Sequence, residues 1–558
     1  MSAAVPPDAE IWARIAQARL TEGTKPCLER LRFPTFAELL QARAAGGARP
    51  FLVYYDEAQG RSELSYAAFA ARVAARARTL SEQAGLRRGD RVATLMHNHP
   101  EAPVTCFAAW RIGATVVPIN MGEDDARIEF VLENSVAKAV VFLPEYAARA
   151  RTLGLGRDGR SWLDLGALSE DTASLGLLEH LPRPEPEDDA LIVYTSGTTG
   201  PPKGVVLSQR NLLVDAEGIA GWHELREGSR LGCVLPVHHV NGLVVTLVTP
   251  FVVGGSVVLW RRFRSHDFWP VVESEGVEIV SVVPTLLAFL LEDAKDGRAV
   301  PPSRMRHLIC GAGPLTVDLA RRFEERFALR VVHGYGLSET TCYSCFLPLD
   351  LSAAEHAHWM RDFGFPSIGV PLPPNEMAIH DGEGRPQGPG ARGEIVIRGV
   401  NVMKGYHARP DANAQSFAFG WFRSGDEGFF ERDTKGRPFF FITGRIKELI
   451  IRGGVNLSPF EIDEVLSRIP GVARGLAVGF ENDWYGEEVG AYVKLEADAR
   501  LDEQAILEAC RQKLPFTKAP KVVVFGEEIP VTSTGKYQRG RLRHLFVAHK
   551  STQFRDSR

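Results

Sequence analysis

The sequence predicts an α/β protein: a large N-terminal domain of parallel-sheet αβ layers with a β-rich subdomain, followed by a small α+β C-terminal domain. Short apolar runs alternate with helical patterns along most of the chain, as in parallel sheets covered by helices. Alternating apolar and polar residues from Gly393 indicate strands with one exposed face. At 558 residues, the chain is also too long for one compact core.

The elements can be placed in chain order. Residues up to about 49 are expected to be helical decoration, and the acidic, proline-rich residues 182–189 are expected to be a linker. A second boundary near Gly444 gives predicted domains 1–444 and 445–558. The apolar patterns predict helices over 66–80 and 101–110, and strands over 92–96, 115–117, 190–193, 277–283, 305–310 and 329–332.

Composition indicates an ordinary globular protein, with 45% apolar and 24% charged residues. The net charge of −4 gives no reason to expect nucleic acid or an anionic membrane as partner. Seven scattered cysteines and an N-terminus without signal-peptide features favour a cytoplasmic location. The apolar stretch 242–260 is interrupted by Pro250, Gly254 and Gly255, so we expect a buried helix, a turn and a strand, and no membrane span.

A glycine- and hydroxyl-rich loop follows the predicted strand 190–193 and is suited to holding phosphate. Its glycines permit close approach to the main chain, its hydroxyls can donate to anionic oxygens, and its lysine adds positive charge. The Walker pattern is absent, since Pro202 precedes the lysine and Gly204 follows it, so an ordinary NTPase or kinase is disfavoured. A polar surface loop is the plain alternative. The candidate ligands are Thr195, Ser196, Gly197, Thr198, Thr199, Gly200 and Lys203.

Five further motifs follow this loop: PVHHVNG at 236–242, HGYGLSETT at 333–341, WFRSGD at 421–426, GRIKE at 444–448 and TSTGK at 532–536. Together with the loop, and in this order, they resemble the adenylate-forming superfamily of acyl-CoA synthetases, adenylation domains and luciferases. The resemblance extends from about residue 64 to residue 539. Each motif alone is a weak to moderate match, whereas the ordered set is hard to obtain by chance.

The resemblance implies a two-step acid–thiol ligase. A carboxylic acid attacks the α-phosphate of ATP to give an acyl-adenylate and pyrophosphate, and a thiol then displaces AMP. It implies that Glu339 holds Mg²⁺, which suits a hard cation shared with phosphate. It implies that Ser338, where the family usually has threonine, faces the α-phosphate. The other implied roles are Tyr335 on adenine, Asp426 and Arg445 on ribose, Lys203 on the outer phosphates, Lys536 between carboxylate and α-phosphate, and Gly311, Ala312, Gly334 and Gly336 around the nucleotide.

The resemblance also implies an acyl pocket. His239 would lie beside the acyl carboxylate, while His238 replaces the family's usual aromatic residue, so a gating role and a structural role for His238 both stay open. Small residues in this region would leave room for a bulky or extended acid, which favours a fatty or aromatic substrate. The implied lining is His239, Val240, Gly311, Gly313, Gly336 and Leu337.

Coenzyme A is the expected thiol, because Gly453 and Gly454 match the turn beside which pantetheine enters in acyl-CoA synthetases. A freestanding ligase that loads an acyl carrier protein shares every adenylation residue and is the nearest alternative. A non-catalytic binding protein is less favoured, because Glu339, Asp426 and Lys536 are all present. The resemblance implies that the C-terminal domain is mobile and rotates about Lys447.

Cys342 and Cys345 form a Cys-x-x-Cys pair, for which zinc and redox roles must be weighed. A single pair lacks the second pair of a structural zinc site. Since it follows the nucleotide motif directly, we interpret it as part of the acyl pocket wall. His356 and His358 are expected at the surface.

Overall fold

The computed structural model describes residues 8–20, 31–168, 174–195, 202–294, 301, 303–531 and 537–555. The α-helices of these residues are α1 Asp8–Ala18, α2 Phe36–Ala44, α3 Tyr66–Arg78, α4 Glu101–Arg111, α5 Asp125–Asn134, α6 Ala147–Thr152, α7 Gln209–Trp222, α8 Thr249–Val253, α9 Ser265–Glu275, α10 Pro284–Asp293, α11 Val317–Phe327, α12 Ala353–Arg361, α13 Pro410–Ser416, α14 Pro459–Ser467 and α15 Glu503–Arg511. Short π-helical and 3₁₀ turns extend or connect several of them.

The strands of the same residues are β1 Pro50–Asp56, β2 Gly60–Ser65, β3 Arg91–Leu95, β4 Thr115–Ile119, β5 Ala139–Phe142, β6 Ser161–Asp164, β7 Asp189–Thr195, β8 Lys203–Ser208, β9 Arg230–Cys233, β10 Ser256–Trp260, β11 Ile279–Val282, β12 His307–Cys310, β13 Val331–Tyr335, β14 Cys345–Phe346, β15 Val370–Pro371, β16 Asn375–His380, β17 Gly393–Gly399, β18 Gly405–Tyr406, β19 Phe422–Arg432, β20 Pro438–Arg445, β21 Ile450–Arg452, β22 Val455–Leu457, β23 Val472–Asn482, β24 Gly486–Leu495 and β25 Val522–Phe525. They form four sheets.

Two of the sheets are largely parallel and share the main hydrophobic core, which confirms the predicted fold class. One has the order β18-β8-β7-β4-β3-β5-β6, and the other β15-β14-β13-β12-β11-β9-β10-β1-β2. Their central strands are continuous apolar runs buried on both faces, as parallel strands between helices must be. The carboxyl ends of neighbouring parallel strands meet at one edge, where ligands commonly bind.

The β-rich subdomain expected from Gly393 is a four-stranded antiparallel sheet in the order β16-β17-β19-β20. Strand β19 alternates buried and half-buried residues along most of its length, because one face packs on the core. Asp426 lies within this strand, opposite Arg445 in β20. The antiparallel register therefore brings two predicted ribose ligands side by side.

Residues from Ile450 onward form a separate sheet, in which β22, β21, β24 and β23 are antiparallel neighbours and β25 pairs with β24 in parallel. Helices α14 and α15 pack on it around one apolar cluster distinct from the main core, and the C-terminal 3₁₀ helix Arg539–His549 packs on it around another. The Glu464 carboxylate of α14 accepts a hydrogen bond of 2.9 Å from the Val317 backbone N–H, at the start of α11. This contact fastens the C-terminal residues to the N-terminal sheets.

The apolar stretch 242–260 forms the expected helix, turn and strand. It continues from a π-helical turn, Asn241–Val248, into α8, and Gly254 ends α8 with φ of +84° before β10. The left-handed conformation at Gly254 explains why glycine occurs there. Across the described ranges, the helices are too short or too polar to cross a bilayer.

Candidate active site

The Asp426 carboxylate joins a predicted adenine ligand to a predicted ribose ligand. The buried Tyr335 hydroxyl donates to one Asp426 oxygen at 2.7 Å, and Arg445 Nε lies 3.0 Å from the other. Attraction to Asp426 raises the pKa of Arg445, and burial raises the pKa of Tyr335 well above its usual value. A fixed carboxylate beside a permanent cation is suited to neighbouring hydroxyl groups of a sugar.

The two described ends of the glycine loop belong to an antiparallel hairpin, in which Thr195 of β7 pairs with Lys203 of β8. The Lys203 ammonium lies 4.8 Å from the centre of the Tyr406 ring. Burial, followed by the positive charges of Arg409 and Lys447, lowers the pKa of Lys203. A half-buried lysine amine with two further cations nearby is suited to binding an anion. Ser196, Gly197, Thr198, Thr199 and Gly200 lie outside the described residues.

Glu339 lies close to this cationic group. Its Oε1 accepts a hydrogen bond of 2.8 Å from the Tyr406 hydroxyl, and its backbone carbonyl accepts one from the Met403 N–H. Ser338, beside it, is half-buried in the same short helical turn. Tyr406 thus bridges the predicted metal ligand and Lys203, the predicted phosphate ligand.

A cavity of about 1260 Å³ lies between the N-terminal sheets and the C-terminal residues. Its wall includes the predicted nucleotide and acyl residues Ala312, Gly313, Gly334, Tyr335, Gly336, Leu337, Asp426 and Arg445. From the C-terminal side it is lined by Val531 and Tyr537, among others. Lys536 lies outside the described residues, but these two neighbours place the ends of its loop at the cavity.

His238 and His239 lie on a loop fixed by Asn98. The Asn98 amide donates to the carbonyls of Leu235 and Trp260 at 3.0 Å and accepts from the Val237 N–H at 2.8 Å. The two histidine rings are 4.3 Å apart, and burial, followed by the neighbouring His239, lowers the pKa of His238 well below its usual value. His238 is therefore neutral at physiological pH, while Val240 is buried at the start of the following helical turn.

The predicted coenzyme A turn lies apart from this cavity, whereas the predicted hinge residue Lys447 stands between Arg445 and Glu448, which both line it. Gly453 and Gly454 are exposed, with φ of +57° and +82°, in the turn between β21 and β22. Lys447 is exposed in the short turn Ile446–Glu448 that leads from β20 to β21. The structure thus brings the ends of the Lys536 loop to the cavity and leaves the glycine turn outside its wall.

Family models match most of this framework. Residues 40–407 match the AMP-binding enzyme family, and residues 461–536 match the AMP-binding enzyme C-terminal domain. The chain belongs to the AMP-binding enzyme family. The fold and the cavity agree with these two family matches.

Characterised relatives of this AMP-binding enzyme are CoA ligases. The chain is 36% identical over 517 residues to sulfoacetate–CoA ligase of Cupriavidus necator, covering 91% of this chain and 97% of that protein. It is 34% identical over 491 residues to feruloyl-CoA synthase of an Amycolatopsis species, covering 87% and 95%. It therefore matches nearly the whole length of both relatives.

Solved structures give the same relationship. The ATP-bound MatB from Rhodopseudomonas palustris superposes with a TM-score of 0.79 at 27% identity, covering 92% of this chain and 99% of that one. The o-succinylbenzoate CoA synthetase from Bacillus subtilis, in complex with its acyl-adenylate, gives 0.78 at 28%, covering 90% and 97%. One of these structures holds ATP and the other an acyl-adenylate, and together with the family match they confirm the predicted superfamily.

The residues present suit Mg²⁺ bound jointly with ATP. No cluster of three or more histidine, cysteine or acidic side chains that could hold a metal occurs among the described residues. Glu339 uses one oxygen for Tyr406, and a carboxylate has further lone pairs for a cation. Mg²⁺ commonly binds through one or two carboxylates together with substrate phosphates, and this enzyme family uses ATP with Mg²⁺.

The room expected beside Gly311 is filled. A methyl group built on Gly311 would lie 2.5 Å from the Tyr343 hydroxyl oxygen, and one on Gly334 would lie 2.3 Å from the Phe346 ring. Glycines at these strand ends therefore accommodate two aromatic rings of the protein itself. The space expected beside Gly311 is therefore occupied by the chain itself, whereas the neighbouring small residues Ala312 and Gly313 line the cavity.

Two smaller expectations need correction. Cys342 and Cys345 are free, buried thiols whose pKa burial raises, and neither belongs to the cavity wall. His356 is buried rather than exposed, because its Nε2 lies 2.6 Å from a Glu324 oxygen. His358 is exposed, as expected.

Two of the motifs lie inside strands. The HGY segment at 333–335 belongs to β13, which continues past the predicted strand end at residue 332, and Asp426 lies several residues inside β19. In both cases the strand continues because a neighbouring strand supplies backbone partners, β14 for Tyr335 and β20 for Asp426. Sequence periodicity cannot show such pairing.

Tyr406 was missed by the sequence analysis. It lies in the two-residue strand β18, which pairs with β8 and so stands beside Lys203. A lone tyrosine after a lysine–glycine pair gives no distinctive signal in the sequence. Its position becomes informative only through the long-range pairing of β18 with β8.

Proposed function

We propose that the cavity binds ATP and a carboxylic acid together, and that the protein uses them as an AMP-forming acid–CoA ligase. The observation that supports this best is the convergence of Tyr335, Asp426 and Arg445 on one wall of a cavity that the C-terminal residues close. Asp426 would bind the ribose hydroxyls, and the face of Tyr335 would pack on adenine. Gly334 and Gly336 lie on the same wall.

The first half-reaction joins acid and nucleotide. A carboxylate oxygen of the acid attacks the α-phosphorus of ATP, and the bond to the departing pyrophosphate breaks. We propose that Lys203 and the glycine loop hold the outer phosphates, with Ser338 at the α-phosphate. Glu339 would hold Mg²⁺, which supplies neutralisation of phosphate charge. Lys536 would stabilise charge that develops between carboxylate and phosphate, with His239 beside the carboxylate.

The second half-reaction transfers the acyl group to coenzyme A. The thiol sulfur attacks the acyl carbon, the bond to AMP breaks, and the thiol loses its proton. Since Gly453 and Gly454 lie outside the cavity wall, we propose that residues 445–558 act as a lid that rotates about Lys447 to bring them in. A few residues at an element end can absorb such a rotation.

Coenzyme A is the acceptor supported by the relatives, which are named as CoA ligases. Their acids range in size from sulfoacetate to ferulate and long-chain fatty acids, so the relatives leave the acid open. We further propose a cytoplasmic location, which suits the described cysteines, all free thiols. Loading of an acyl carrier protein stays the alternative for the second step.

Exchange of labelled pyrophosphate into ATP tests the first half-reaction. The proposal predicts exchange that depends on added acid and on Mg²⁺ and that needs no thiol. Thioester formation, measured with coenzyme A and with an acyl carrier protein in parallel, identifies the acceptor. Acid-independent ATP hydrolysis without exchange would contradict the proposal.

A further inference from the structure

The Glu464 carboxylate connects the C-terminal residues to the start of α11. Its Oε2 accepts a hydrogen bond of 2.9 Å from the Val317 N–H, and its Oε1 accepts one of 3.0 Å from the Arg468 Nε–H, one turn further along α14. Burial raises the pKa of Glu464, and hydrogen bonds from the backbone N–H groups of Val317 and Asp318 oppose this shift. A carboxylate that is 7% exposed is therefore oriented by partners on two sides.

This hydrogen bond caps α11 from outside the N-terminal part of the chain. The N–H groups in the first turn of an α-helix have no carbonyl partner within the helix. Thr316 Oγ1 accepts from the Leu319 N–H at 3.2 Å, and Glu464 accepts from Val317, the first residue of α11. Val317 is buried, so its N–H would be costly to leave without a partner. A negative charge at this end of the helix is favourable as well.

The segment that leads into α11 belongs to the cavity wall. Residues 312–316 line the cavity and connect the end of β12 to α11. Ala312 in this segment has φ of +62°, a left-handed conformation that is uncommon for a residue with a side chain. Because α11 continues directly from the segment, the bond to Glu464 helps to fix one side of the cavity.

The residue before Glu464 connects α14 to the base of the Lys536 loop. Asp463 Oδ1 accepts a hydrogen bond of 2.9 Å from Arg539 Nη1, and both side chains are buried. Arg539 lies two residues after Tyr537, at the described end of that loop, and both residues line the cavity. Two neighbouring acidic residues of α14 thus hold α11 on one side and the base of the loop on the other.

We propose that Glu464 is a positioning residue for adenylate formation, because its bond to α11 docks the C-terminal residues with the Lys536 loop towards the nucleotide. This rests on the proposed ligase function. If residues 445–558 rotate about Lys447, α14 moves relative to α11 and the bond to Val317 breaks. Glu464 therefore favours the arrangement for the first half-reaction and releases α11 for the second.

Separate measurement of the two half-reactions tests this. Glu464→Ala should lower kcat/KM for ATP in acid-dependent pyrophosphate exchange about 5- to 30-fold, the effect of one hydrogen bond to a charged group. Thioester formation from supplied acyl-adenylate and coenzyme A should keep at least its wild-type rate, because this step does not use the docked arrangement. Glu464→Gln keeps an acceptor oxygen and should retain more pyrophosphate exchange than Glu464→Ala.

Glu461→Ala is the matched control. Glu461 lies on the same helix, is half-buried, and pairs with Lys518 at 2.8 Å within the C-terminal residues. It is not part of the cavity wall. This variant should lose stability and leave the ratio of the two half-reaction rates unchanged.

Amide hydrogen exchange gives a readout that does not depend on turnover. In the wild type, the amides in the first turn of α11 should exchange more slowly with ATP and Mg²⁺ than with AMP and coenzyme A. Glu464→Ala should remove this difference. If the variants fail to fold, the comparison within the wild type still decides the question.

The possible failures are distinguishable. Equal loss in both half-reactions, or wild-type pyrophosphate exchange by folded Glu464→Ala, overturns the role of Glu464 and leaves the ligase function intact. Equal amide exchange of the wild type with the two sets of nucleotides does the same. Absence of pyrophosphate exchange with every acid overturns the ligase function, and the role of Glu464 with it.

Discussion

The hydrogen bond between Tyr406 and Glu339 connects the fold to the predicted metal site, and a substitution can test this connection. The Tyr406 hydroxyl donates to Glu339 Oε1 at 2.8 Å, while its ring packs beside Lys203. Tyr406→Phe deletes the hydroxyl and keeps the ring. The substitution therefore frees the Glu339 carboxylate without removing the contact with the lysine.

The size of the effect follows from the kind of bond. A hydrogen bond to a charged group contributes about 1.5–3 kcal/mol, and the half-buried Glu339 recovers part of this from water, which leaves about 1–2 kcal/mol. If that energy orients the carboxylate for Mg²⁺, the Mg²⁺ concentration giving half-maximal exchange should rise about 5- to 30-fold. The rate at saturating Mg²⁺ should change less.

The assay is pyrophosphate exchange over a Mg²⁺ titration. Tyr55→Phe is a matched control. Tyr55 lies on β1, away from the cavity, and is half-buried, and its hydroxyl donates to a Glu275 oxygen at 2.7 Å. It should lose similar stability without changing the Mg²⁺ dependence. If Tyr406→Phe shows the same Mg²⁺ dependence as the wild type, Tyr406 does not position the metal ligand.

Three further predictions concern the lid and the buried core. Lys536→Ala should slow adenylate formation about a hundredfold while coenzyme A attack on supplied acyl-adenylate changes far less, and equal loss in both half-reactions would reject its role. Lys447→Pro should slow thioester formation far more than pyrophosphate exchange, since proline fixes φ, and normal rates of both steps would exclude rotation at this residue. Burial raises the pKa of Asp215 to about 8, from 3.8, so the folded protein holds a proton that the unfolded chain releases, and wild-type stability falls as pH rises between these values. In denaturant unfolding, the free energy of unfolding of Asp215→Asn should therefore rise relative to that of the wild type by up to about 1.4 kcal/mol per pH unit from pH 5 to pH 8. A difference between the two proteins that does not change with pH would contradict the buried proton.

Much of the parallel framework was predictable because its strands are short, continuous apolar runs. Predicted strands 92–96 and 305–310 correspond to β3, Arg91–Leu95, and β12, His307–Cys310. Strand β2, Gly60–Ser65, was not predicted. It is an edge strand with mostly exposed, polar residues, so it lacks the apolar periodicity on which the prediction depended.

The candidate site was predictable only where its residues lie in local motifs. Asp426 and Arg445 each stand in a recognisable segment, and the register of β19 and β20 then brings them together. Tyr406 reaches the site through the long-range pairing of β18 with β8, and Tyr343 packs against Gly311 and Gly334. Such contacts depend on topology, so the sequence indicated open space beside Gly311 where the structure places Tyr343.

The products formed from ATP distinguish an adenylate-forming ligase from other enzymes that use ATP. With an acid that supports pyrophosphate exchange, Mg²⁺ and coenzyme A, we expect AMP, pyrophosphate and the acyl-CoA in equal amounts, separated by chromatography, with AMP and pyrophosphate counted from labelled ATP. Omitting the acid should abolish all three. Release of ADP and phosphate, or AMP release without acid, would contradict an adenylate-forming ligase.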